Sequence, residues 1–86
     1  MAPMPAKIVF QPIEVLTDSQ DRDGRLVLVD GKLAAILVRL SDDGHDPQLR
    51  GTWYIEAGFG LLEHRHELFA SLDEAAASII GELTRN

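Results

Sequence analysis

The chain has 86 residues, 45% of them apolar and 26% charged, with no cysteine and a formal net charge of −6. That composition describes one small globular domain and excludes a disordered chain, disulfide staples, thiolate zinc sites and cysteine nucleophiles. The eight basic residues are scattered, so the clustered positive charge that binds phosphate backbones or anionic membrane surfaces is missing and neither partner is expected.

Residues 1–6 hold both methionines and two of the four prolines and read as a flexible N-terminal arm, with residues 7–86 as a single α+β domain. The start, MAPMPAKIVF, has no apolar run of signal-peptide length, and no stretch approaches the ~20 apolar residues that span a bilayer. Cytoplasmic is the default expectation. The stretch KIVFQPIEVLTD then reads as extended, with Ile8 and Phe10 on one side and Val9 on the other. Pro12 has no N–H to give a ladder, so this strand is bulged there or lies at a sheet edge.

The acidic turn SQDRDG follows. Placing Gly24 at the sixth position of a calcium-binding loop puts Asp21 and Asp23 at the third and fifth. Ser19 and Asp30 would then occupy the first and twelfth, where the pattern wants a carboxylate and a bidentate Glu, so a plain turn is the better reading.

In RLVLVDGKLAAILVRL two apolar runs flank Asp30-Gly31, the dipeptide favoured by a two-residue type I′ hairpin because both positions need φ > 0. Counted strictly by twos, the second arm places Ala34, Ile36, Val38 and Leu40 on one face and Leu33, Ala35 and Leu37 on the other. An arm apolar on both sides is expected to be covered on both. The polar loop SDDGHDPQLRG leads to TWYIEAGFG, where Trp53, Ile55, Ala57 and Phe59 share a core-facing side while Tyr54 and Glu56 share the other. Gly58 and Gly60 suggest a bulge or a close approach.

In EHRHE, His64 and His66 stand two apart, a spacing that excludes the zinc-protease helix, whose histidines sit four apart. In a strand both rings would point the same way and begin a metal site, with His45 as a possible third ligand. Otherwise the segment is a polar bridge. The last segment opens with Ser71 and Glu74 in a capping box and carries Leu72, Ala76, Ile79, Ile80 and Leu83 as an apolar stripe, which predicts a C-terminal helix.

The expected architecture is therefore a three- to four-stranded antiparallel meander packed on one helix. One helix covers one face, so Leu33, Leu37 and their neighbours on residues 26–29 need another cover, and a symmetric homodimer is expected, with Tyr54 a further candidate contact. No strand–elbow–helix serine and no phosphate-cradling glycine loop appears, so no catalytic residue is assigned, the chain reads as non-enzymatic, and no cofactor is implied. A small ligand- or metal-binding protein, or an enzyme with its site at a subunit interface using His64, His66 and Tyr54, is the alternative.

The order of strands ending in GTWYIEAGFGLL…FASLDEAAASII resembles, over residues 52–80, small bacterial meander-plus-helix domains, the nearest named family being the HicB-type antitoxins. That family's Pro-Asp-Leu-Pro-Gly-Cys signature has no counterpart here, and no functional residue carries over. The resemblance implies a basic protein partner, which would be held by the acidic loops containing Asp18, Asp21 and Asp23 and Asp42, Asp43 and Asp46.

Overall fold

The computed structural model describes residues 7–16, 23–40 and 48–84. It is an α+β fold: five antiparallel strands in the order β1-β2-β3-β4-β5, a pure meander, closed on one face by a single C-terminal helix. The strands are β1 (Ile8–Glu14), β2 (Asp23–Val29), β3 (Lys32–Arg39), β4 (Trp53–Gly58) and β5 (Leu68–Phe69), and the helix α1 spans Leu72–Leu83. The sheet thus has one strand more than the three or four expected. The extra strand is β5, whose two residues are too short to show any alternation.

Asp30 and Gly31 turn β2 into β3 with φ of 53° and 80°, the left-handed pair that a type I′ turn requires. The turn is also tied to the first strand. The Lys7 N–H donates to the Asp30 carboxylate at 2.9 Å, and the Asp30 N–H donates to the Lys7 carbonyl at 2.8 Å. Pro12 lies on β1, which is an edge strand, as its missing donor demands.

Two bulges decide which side chains reach the core. Val27 pairs with Ala35 but Leu28 pairs with Leu33, so Ala34 is an extra residue on β3. Ile36 pairs with Ala57 but Leu37 pairs with Ile55, so Glu56 is an extra residue on β4. Each extra residue shifts the alternation by one and turns the following side chains to the opposite face. Leu33 and Leu37, which strict counting puts together, are thereby separated. Leu37 is fully buried in the core, so its expected place on the uncovered face is corrected, while Leu33 stays 40% exposed. Ala57 likewise leaves the face of Trp53 and Ile55, and Phe59 is exposed rather than in the core.

The core joins Val27, Ala35, Leu37, Trp53, Ile55, Leu62 and Phe69 to Ala75 and Ile79 of α1, with Ile8, Phe10, Val29, Leu72 and Leu83 packed around them. Ala75, outside the stripe read from the sequence, is the helix residue set deepest beside Ile79. The helix begins as expected, the Ser71 hydroxyl accepting from the Glu74 N–H at 3.1 Å. The Glu74 carboxylate reaches back to the Ala70 N–H at 2.8 Å, one residue before its usual capping-box target.

Candidate functional site

The helix covers one side of the sheet. Register places Val9, Gln11 and Ile13 of β1, Leu26 and Leu28 of β2, Leu33, Ile36 and Val38 of β3, Tyr54 and Ala57 of β4, and Leu68 of β5 on the other. Gln11 is the sole polar side chain among these besides the Tyr54 hydroxyl, and none is charged. Val9, Ile13, Leu33 and Leu68 are 43%, 40%, 40% and 45% exposed, whereas Leu37 on the opposite face is at 0%. Leu26, Leu28 and Ile36, toward the middle, are half-buried. Val38 is buried; it lies between its partners Gly24 on β2, over which the Val15 side chain packs, and Tyr54 on β4. Glu56 is exposed in the β4 bulge.

The aliphatic side chains thus run across one sheet face, exposed at its margins and half-buried toward the middle. The cause lies in the sequence. β2 and β3 are leucine- and valine-rich without alternation, so whichever side chains the bulges turn away from α1 are apolar too.

Tyr54 and His66 meet at the β4 margin of this face. The Tyr54 hydroxyl and His66 Nδ1 are 3.4 Å apart, and the rings stack with centroids 6.2 Å apart and planes inclined by 23°. His64 is exposed on the turn that follows the 3-10 turn Gly60–Leu62. Residues 63–67 form no strand, β5 beginning at Leu68, so the strand geometry that would aim His64 and His66 the same way is replaced by a turn and an irregular connection. Among the described residues no three His, Cys, Asp or Glu side chains converge as a metal site would need. His45 lies outside the described residues. Arg65, between the histidines, ion-pairs with Glu67 and reaches Glu82 of α1 at 3.3 Å, so EHRHE fastens the connection to the helix.

Of the acidic candidates, Asp23 is described. Its carboxylate accepts from Arg25 at 2.8 Å, and the same guanidinium lies 5.0 Å from the centroid of the Trp53 ring. The Asp23 charge is thus matched within the chain. Asp18, Asp21, Asp42, Asp43 and Asp46 lie outside the described residues, as does the arm at 1–6. An open depression lined by Pro12, Ile13, Glu14 and Asp23 shares no described residue with the Tyr54–His66 pair. No described helix is long and apolar enough to cross a membrane.

No protein-family model, no curated protein and no solved structure matches the chain.

Val9, Ile13 and Leu68 are not expected on this face from the sequence, and counting by twos puts Ile36, Val38 and Ala57 on the opposite side. For Val9 the signal is present in the alternation, since Ile8 and Phe10 point to the opposite side. Leu68 belongs to a strand too short to recognise.

Proposed function

We propose that the chain is a non-enzymatic protein-interaction module that works through the open face of its sheet. One observation carries the reading: four aliphatic side chains on that face, Val9, Ile13, Leu33 and Leu68, each keep 40% or more of their surface in water. Burial is worth ~25 cal/mol per Å² of apolar surface, so a partner that covers the face gains directly from doing so. A setting in the cytoplasm goes with this reading. The resemblance to HicB-type antitoxins adds a basic protein as a possible class of partner, held at the acidic loops rather than on the apolar face.

The test is affinity capture with the tagged full chain, analysed by mass spectrometry beside Leu33→Asp. A stoichiometric partner, or untagged chain, retained by the wild type and lost by the variant is the expected result. Equal capture by both proteins would remove the open face from the function.

A second reading rests on the approach of the Tyr54 hydroxyl to His66 Nδ1, at 3.4 Å. Those two polar groups beside an apolar surface suit a small ligand or a metal bound where two subunits meet. Thermal-shift screening with metals and metabolites separates the readings. A shift abolished by both Tyr54→Phe and His66→Ala favours the ligand site, and the absence of any shift favours the interaction module.

A further inference from the structure

Resting on the interaction reading above, we infer that the occupant of the open face is a second copy of this chain, packed sheet against sheet about a two-fold axis.

Charge points to self-association at this place. Each copy carries a net −6, so two copies repel wherever acidic surface meets acidic surface. The paired positions of the open face carry no charge; the exposed carboxylate beside them is Glu56, unpaired in the β4 bulge between Ile55 and Ala57. Apart from Glu56, two copies can therefore meet here without apposing carboxylates. A basic partner, by contrast, finds nothing on those positions to pair with, and its own charges would be desolvated without return. The surface that matches an apolar, uncharged sheet face is another such face.

Area points the same way. Four strands of six to eight residues and the two-residue β5, spaced ~4.8 Å apart with ~3.3 Å per residue, make a footprint of roughly 470 Å². Side-chain relief makes the accessible area larger than that footprint, so two copies together remove on the order of 1,000 Å², the lower bound for a specific interface. A single helix, about 10 Å across, would cover half the width and leave the margins wet. Those margins are where the exposed aliphatics lie, with Val9 and Ile13 on β1 and Leu68 on β5.

The edges of the sheet offer a poorer route to a dimer. On one side β1 carries Pro12, which has no N–H to donate to a continuing ladder. On the other, β5 is two residues long. Face-to-face packing, with sheets ~10 Å apart, needs neither edge. Because the contact is isologous, Leu33 of each copy enters it, and one substitution acts twice.

Sedimentation equilibrium of the full chain at micromolar concentrations tests this. The wild type should have twice the 9.5 kDa mass of the chain. Leu33→Asp should weaken association at least about a hundredfold, since it places two carboxylates in a dry contact. Leu61→Asp, at a 63% exposed position on the Gly60–Leu62 turn and off the sheet, should leave the dimer intact. Circular dichroism checks the fold of each variant. Should Leu33→Asp not fold, Val9→Asp on the edge strand makes the same test. A dimer that survives the face substitution, or that Leu61→Asp disrupts equally, overturns the inference. A monomeric wild type whose capture of another protein depends on Leu33 overturns the second copy as occupant but leaves the interaction module standing. A monomeric wild type with no Leu33-dependent capture overturns both.

Discussion

Gly58 lies directly beneath Leu62, so close that a Cβ on the glycine would overlap the Leu62 carbonyl. Leu62 is fully buried, and the turn that carries it packs against α1 and β3. The glycine is what lets that turn sit down on the sheet. Gly58→Ala must lift the turn or displace the strand, and overpacking of this kind costs about 3 kcal/mol, because the obstruction is backbone and cannot rotate away. Urea denaturation should show a lower midpoint with an unchanged slope. An unchanged midpoint would mean that the turn is not held against the sheet.

Gly31 presents the opposite case. A Cβ there meets nothing within 4 Å, but φ is +80°. Gly31→Ala should therefore cost about 1 kcal/mol through the backbone alone, while Gly31→Asn, which tolerates the left-handed region, should cost less. Equal losses for the two in thermal denaturation would show that the cost does not come from φ.

The features legible in the sequence were those written in local chemistry. Asp30-Gly31 announced its turn, Ser71 and Glu74 their helix start, and Pro12 an edge strand. Faces were legible as far as the first bulge. Ala34 and Glu56 are ordinary residues, and nothing in their side chains says that each is one residue too many for the partner strand. Counting by twos across them put Leu37 with Leu33 and Ala57 with Trp53. The aliphatic character of the open face is legible despite this error, because β3 is apolar on both faces whichever way its register runs. Tyr54, His64 and His66 are named together for the alternative site, but the direct contact of Tyr54 with His66 is not legible, since it depends on β5 pairing with β4 and bringing the connection back alongside.

At the start of α1, the Ser71 hydroxyl and Glu74 carboxylate each hold a backbone N–H, at 3.1 and 2.8 Å. Ser71→Ala should cost about 1 kcal/mol, and Ser71→Asp should recover most of it by restoring an acceptor and adding a charge at the positive end of the helix. For a domain of this size, 1 kcal/mol corresponds to a melting shift of roughly 4–8 °C. No shift for Ser71→Ala would place helix stability in the Ala75 and Ile79 contacts alone.

Arg65 links Glu67 in the connection to Glu82 on the helix. These side chains remain partly exposed, at 32%, 39% and 24%, so solvent screens the pairs and Arg65→Ala should cost no more than about 1 kcal/mol. The loss should shrink in high salt. A larger, salt-independent loss would mean that the arginine stem acts by packing.

Leu33 and Leu37 give the sharpest test of the bulge at Ala34, because two similar residues four apart in one strand should respond differently. Leu37 is enclosed by the sheet and the core around α1, so Leu37→Ala opens a cavity and should cost about 2–5 kcal/mol at every protein concentration. Leu33 is 40% exposed within one copy, and its truncation removes surface that is already partly wet. Within a monomer, Leu33→Ala should cost under about 1 kcal/mol. In a dimer that buries Leu33, the loss should grow as concentration rises and wild type gains stability from association that the variant lacks. Melting curves of both variants across a concentration series separate the two behaviours. Equal, concentration-independent losses would place both leucines in one core and remove the bulge from the strand.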